Sequence, residues 1–85
     1  MHILYFAWLK DRIGVAEERL DPPEGVKTVG ALVDWLCSRG EGYAAAFENR
    51  DIVRAAVNQD FADLDAPIST GDEIAFFPPV TGGRA

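Results

Sequence analysis

Residues 73–83 read EIAFFPPVTGG: an apolar stretch, a proline pair, two more residues and a glycine pair. Glu73 to Phe77 suits a strand, with Ile74 and Phe76 on one face and Phe77 on the other. Pro78 and Pro79 have no N–H to give a ladder, so the strand cannot continue through them inside a sheet. A packed core does not require proline-proline and then glycine-glycine. The segment after Phe77 therefore leaves the sheet and serves something beyond it.

A second apolar stretch opens the chain. His2 to Leu9 (HILYFAWL) is aromatic and β-branched, and its length suits a strand. Ile3, Tyr5, Ala7 and Leu9 fall on one face and Leu4, Phe6 and Trp8 on the other, which predicts cover on both sides. KDRIG, ending at Gly14, reads as a polar turn with glycine available for a positive φ. Val15 to Leu20 reads as a weaker second strand, with Glu17 and Glu18 equally compatible with helix. Thr28 suits a helix N-cap, and Val29, Leu32, Val33 and Leu36 follow at the spacing of one helix face. Gly40 is a natural stop for that helix. EGYAAAFE, from Glu41, carries a second short helical pattern. Ile52 to Asn58 reads as a strand, and NQDFADLDAP as a turn-rich connection closed by Pro67.

The order β-β-α-β-β makes a two-layer α+β domain. The first and last strands are the most apolar, which predicts that they lie side by side and parallel at the sheet centre. The expected architecture is a ubiquitin-like β-grasp, a mixed sheet of four or five strands packed on one main helix. Residues 1–79 form the single domain, and residues 80–85 a flexible C-terminal tail.

Eighty-five residues with 48% hydrophobic content support one modest core. The net charge of −6 disfavours nucleic acid and anionic membranes, which need clustered lysine and arginine. No stretch reaches the roughly 18–20 apolar residues of a membrane span. The N-terminal run lacks a basic leader and reads as a strand, so the expected address is the cytoplasm. The lone Cys37 cannot form an intrachain disulfide or bind an iron–sulfur cluster by itself. Cys37 sits among core positions and reads as a small packed thiol, and His2 is terminal, so no nucleophile–base pair emerges. Asp72 and Glu73 read as solvated turn residues. No carboxylate spacing suits a metal loop, and no glycine-rich loop suits a phosphate.

What remains is the tail. Gly82 and Gly83 thread a channel too narrow for any other residue. A free carboxylate on Gly83 is a poor electrophile until it attacks ATP and becomes an acyl-adenylate. AMP is then the leaving group, and a sulfur nucleophile yields a thiocarboxylate.

The run from Arg54 to Gly83 resembles the small subunit of molybdopterin synthase, a β-grasp sulfur carrier family. The resemblance rests on AVNQ (Ala56–Gln59), the GDE turn (Gly71–Glu73) and AFFPPVTGG (Ala75–Gly83), with Ile3–Gly14 similar to the family's first strand and turn. Residues 21–50 match only in pattern. The resemblance implies that an E1-like enzyme consumes ATP to adenylate Gly83, and that a sulfurtransferase converts it to a thiocarboxylate. It implies that the tail then enters the large synthase subunit and gives sulfur to cyclic pyranopterin monophosphate, building the dithiolene of molybdopterin in two deliveries. The large subunit holds the catalytic groups, in a complex of two large and two small subunits. This chain is then a non-catalytic carrier that binds no cofactor, nucleic acid or membrane.

An apolar patch of Phe6, Phe61 and Phe77, continued by Pro78, Pro79 and Val80, is the expected partner surface. Phe6 and Phe61 fit the core as well as the patch; Phe77 fits the patch best. The family's active form ends at the second glycine, whereas Arg84 and Ala85 follow here. While they are attached, the carbon of Gly83 is an amide and cannot react with ATP. Three accounts are open: a precursor trimmed after Gly83, a paralogue that has lost sulfur chemistry, or vector-derived residues. Two other functions compete. A ubiquitin-like modifier would join Gly83 to lysines of target proteins. An interaction module would use only the patch. A sulfur carrier for thiazole synthesis is a nearer rival but does not usually carry the FFPPV lead-in.

Overall fold

The computed structural model describes residues 1–79; Val80 to Ala85, with the expected tail and its Gly82 and Gly83, lie outside the described residues. The elements are strand β1 (His2–Tyr5), helix α1 (Trp8–Ile13), β2 (Glu17–Arg19), α2 (Val29–Cys37), α3 (Glu41–Ala46), a 3-10 turn (Arg50–Ile52), β3 (Arg54–Val57), β4 (Asp60–Ala62) and β5 (Glu73–Phe77). The strands form one five-stranded sheet in the order β2-β1-β5-β3-β4. β1 and β5 are neighbours and parallel, with Ile3 opposite Ile74 and Tyr5 opposite Phe76. The other pairs are antiparallel. This is the β-grasp arrangement, with the two most apolar strands adjacent and β5 in the middle.

The core lies between the sheet and α2. Thr28 caps that helix, its Oγ1 accepting the Ala31 N–H at 3.1 Å and so satisfying one of the end donors. Val29, Leu32, Val33 and Leu36 are all buried, as their spacing predicts, and they meet Ile3, Tyr5, Ile74 and Phe76 from the strands. The helix stops at Cys37, three residues before Gly40. Ser38 ends it by donating its hydroxyl to the Trp35 carbonyl at 2.6 Å, a local bond that competes with another helical turn. Gly40 instead precedes α3 as its N-cap. α3 crosses α1 so closely that a Cβ on Gly42 would stand 2.7 Å from the Arg12 carbonyl, which only glycine avoids.

The first strand is half its expected length. β1 ends at Tyr5, and Trp8 to Ile13 is helical, so KDRIG is the body and end of a helix, closed by Gly14 at φ 99°. Leu9 is fully buried from α1, with Ile13 packed behind it one turn later. Ala7, which the alternation assigns to the core face, is exposed. Ile52 belongs to the 3-10 turn and not to a strand. The supposed connection after Asn58 contains β4. Asn58 and Gln59 take φ values of 50° and 74°, the left-handed pair of a two-residue hairpin loop, with Val57 and Asp60 facing across it.

One carboxylate reaches the core side of the sheet. Glu18 stands opposite Ile3 and accepts hydroxyl bonds from Tyr5 at 2.8 Å and Tyr43 at 2.7 Å, with Arg39 Nη1 3.4 Å away. Burial alone raises the Glu18 carboxyl, but the two phenols and the guanidinium outweigh it and hold the group below the usual carboxylate value. Burial, and then the bond to Glu18, push the Tyr5 phenol well up. The network ties β1, β2, α3 and the loop that carries Arg39 together, with the Glu18 charge paired.

Candidate functional site

Strand alternation divides the sheet into two faces. Ile74 and Phe76 turn to the helices, so Ala75 and Phe77 turn away from them. The register then aligns a row across the outer face: Phe61 of β4, Ala56 of β3, Ala75 of β5, Leu4 of β1 and Glu17 of β2. Among the described residues, no helix covers this row. Ala56 is only 9% exposed although it lies outside the core cluster.

The C-terminal end of β5 adds the second row. Phe77 faces Arg54 across the β3–β5 ladder. The rings of Phe77 and Phe61 approach to 5.9 Å between centroids and are tilted, an ordinary aromatic contact. Phe61 is 83% exposed, an unusual state for a phenylalanine. Together with Arg54, Ala55, Ala62 and Asp63, the pair lines a shallow hollow of about 510 Å³. Arg54 donates from Nη1 to the carbonyls of Asp51, at 2.8 Å, and Val53, at 3.3 Å, which fixes its guanidinium at the rim. Pro78 and Pro79 are half-buried and carry the chain off the sheet.

Phe6 lies past the end of β1, not on its outer face. Its N–H donates to the Phe76 carbonyl at 3.0 Å, so its backbone continues the ladder beside Phe77. Phe6 is 49% exposed and forms no ring pair with Phe61 or Phe77 among the described residues. Neither Phe6 nor Phe61 enters the core. Val80, Gly82 and Gly83, the remaining expected site residues, lie outside the described residues.

The far end of β5 is clasped. Asn58, at the hairpin corner, donates from Nδ2 to Asp72 at 3.0 Å and accepts the Glu73 N–H on Oδ1 at 3.0 Å. Asp72 also accepts the Ser69 N–H at 2.7 Å. The Asn58 amide and then this backbone donor hold the Asp72 carboxyl below its usual value. AVNQ and GDE, separate in sequence, are thus two halves of one joint at the start of the strand that leads to the tail.

His2 bonds Glu17 at 2.7 Å, while Cys37 points its thiol to the Tyr43 carbonyl at 3.9 Å, so the two have different partners. Among the described residues, no cluster of histidine, cysteine and carboxylate groups has the geometry of a metal site. No helix among them is long and apolar enough to cross a membrane. The arrangement can present an apolar surface and hold the root of a segment that emerges beside it. Sequence reading missed Arg54 and the small residues Ala56 and Ala75, which floor the surface. Their signal is the alternation in RAAV and EIAFF once Ala55, Ile74 and Phe76 are placed inside.

Comparison with known proteins agrees with this layout. Residues 3–83 match the model of the ThiS family, and Arg84 and Ala85 lie beyond the matched span. The chain is 40% identical over 83 residues to the molybdopterin synthase sulfur carrier subunit of Escherichia coli strain K12, covering 95% of this chain and 96% of that protein. It is 37% identical over 83 residues to the protein of the same name from Haemophilus influenzae, covering 98% and 99%. Among solved structures it is similar to small archaeal modifier protein 1 of Haloferax volcanii, with a TM-score of 0.72, 32% identity, and coverage of 94% of this chain and 97% of that one.

Proposed function

The chain belongs to the ThiS family, and from that premise we propose that it is the sulfur carrier subunit of a molybdopterin synthase. The observation that carries the reading is similarity over nearly the whole chain to two sulfur carrier subunits, with a family match that runs to Gly83. The geometry supports it: the strand that leads to the glycine pair is the central one, and an uncovered apolar surface flanks its exit.

The chemistry belongs to Gly83. Hydrolysis of the Gly83–Arg84 peptide bond frees a carboxylate. Its oxygen attacks the α-phosphorus of ATP on an E1-like enzyme, and pyrophosphate leaves. Hydrosulfide then displaces AMP from the acyl-adenylate and leaves a thiocarboxylate on Gly83; a persulfide donor does the same once a thiol has reduced the S–S bond of the acyl disulfide it forms. The large synthase subunit takes the tail into its active site and supplies the catalytic groups, while this chain supplies the sulfur. Cyclic pyranopterin monophosphate is the acceptor, and two deliveries complete the dithiolene. The chain binds no cofactor itself, works in the cytoplasm, and assembles as two small and two large subunits.

The outer face of the sheet is the docking surface. Phe77 and Phe61 are its aromatic anchors, with Phe6 beside them and Pro78, Pro79 and Val80 leading into the partner. The same surface serves the activating enzyme and the large subunit in turn, because the tail must reach both active sites from one root.

Reconstitution tests the reading. A chain ending at Gly83 and loaded with terminal sulfur should convert cyclic pyranopterin monophosphate when mixed with the large subunit. The same chain still carrying Arg84 and Ala85 should not. Equal inactivity of both would overturn the assignment. The likeness to small archaeal modifier protein 1 favours one second reading, transfer of Gly83 to lysine amines of other proteins. Activation is shared and only the acceptor differs, so isopeptide-linked conjugates in cell extract are its distinguishing sign.

A further inference from the structure

Residues Phe6 to Leu9 make a turn without the residue such a turn demands. Ala7 has φ 55° and ψ −134°. The Leu9 N–H donates back to the Phe6 carbonyl at 3.2 Å. Those dihedrals are the ones a type II′ turn takes at its first central position, which is normally glycine, and the bond closes the turn. The ψ value also sets Ala7 outside the left-handed helical well that tolerates an occasional other residue. Its methyl is exposed, so no packing in the core demands it. Strain of this kind persists only where the surroundings over-determine it, and it gathers at functional sites.

The surroundings here are clear. Tyr5 on one side and Leu9 on the other are buried, at 1% and 0% exposure, and the Phe6 N–H is fixed to the end of β5. Ala7 therefore cannot relax out of the turn. Within it, a residue with a Cβ has a narrow well and glycine a broad one. The side chain whose position depends most directly on that well is Phe6, half exposed at the root of the tail.

We propose that Ala7 is a positioning residue for partner docking: its strained but narrow conformation holds Phe6 in place at the tail root, so that docking orders little. Glycine fits the turn with less strain and lets Phe6 wander, and the partner must then immobilise it. This inference rests on the carrier reading, in which the partner is the large synthase subunit.

The test measures affinity for that subunit and thermal stability in wild type, Ala7→Gly, Phe6→Ala and the double variant. Ala7→Gly should keep or raise Tm yet weaken binding about two- to tenfold, the range set by fixing one more side chain. The weakening should vanish in the Phe6→Ala background, because a residue acting through Phe6 has nothing left to act on. A chemically synthesised chain with D-alanine at position 7, which suits this turn and keeps a methyl, should match wild-type affinity and exceed its Tm. Binding indifferent to Ala7→Gly, or an equal loss with and without Phe6, would overturn the proposal. Should Ala7→Gly fail to fold, the D-alanine chain decides: lower affinity than wild type refutes the positioning role. A wild-type chain that does not bind the large subunit at all refutes the carrier reading itself.

Discussion

Phe76 and Phe77 are consecutive residues of one strand and do opposite work. Phe76 is 1% exposed and meets Phe47 edge-on, with centroids 5.0 Å apart. Phe77 lies on the other face and packs its ring against Phe61, which is 83% exposed. The same contrast runs along the whole sheet. On the helix side, Ile3, Ile74 and Tyr5 are sealed, and the one carboxylate there has its bonds satisfied. On the outer side, Leu4, Ala75 and Phe61 stand in register through Ala56, on the face turned away from the helices. Period-two alternation thus gives one face to the core and turns the other outward within the same strands, and the outward face is the one we propose for docking.

The most severe way to probe that contrast is Phe76→Ala. Loss of a buried phenylalanine should cost about 3–5 kcal/mol of unfolding free energy, measured by denaturant titration. A cost below about 1 kcal/mol would erase the difference between the faces. Phe77→Ala should leave stability within about 1 kcal/mol and weaken binding of the large subunit by about 2 kcal/mol, roughly thirtyfold. If it unfolds the chain and shows no separate binding loss, the outer face is not a docking surface. Tyr43→Phe removes one bond to Glu18 on the helix side and should cost about 1 kcal/mol, with no change in partner affinity. Asn58→Gly keeps the hairpin conformation but breaks the clasp to Asp72 and Glu73, and should cost about 0.5–1 kcal/mol.

Acid should act on the helix face through Glu18. Its carboxyl is held below the ordinary value of 4.5, so its stabilisation is complete above that pH and is lost as pH falls through the folded value. Glu18→Gln should flatten the fall of stability in that acid range, read from denaturation at successive pH values. An unchanged profile would mean that the Tyr5–Glu18–Tyr43 network is not the group responsible.

The fold is legible where one physical signal dominates. α2 shows its cap and its apolar spacing, but not its end, which falls three residues before Gly40. β5 shows alternation closed by two prolines. The first strand runs too long in a sequence reading because Leu9 satisfies two periods. It alternates with Ile3 and Tyr5, and it also sits one helical turn before Ile13. The break between them is a turn occupied by alanine, where composition gives no warning. β4 escapes notice because it has three residues, two of them polar or small, and its hairpin loop uses Asn-Gln in place of the familiar Asn-Gly. Of the site, Phe77 is readable from parity alone. The exposure of Phe61 depends on β4, and the place of Phe6 depends on the turn at Ala7. The joint between AVNQ and GDE depends on side-chain bonds that span 14 or 15 residues, which no local pattern encodes.

The most direct test of the carrier reading is the intact mass of the protein isolated untagged from its native host while molybdopterin is being made. The account predicts a chain ending at Gly83, with a fraction heavier by the replacement of one terminal oxygen by sulfur. A population ending only beyond Gly83, with no sulfur-bearing form, would contradict it, because the glycine carbon would never have been free to be activated.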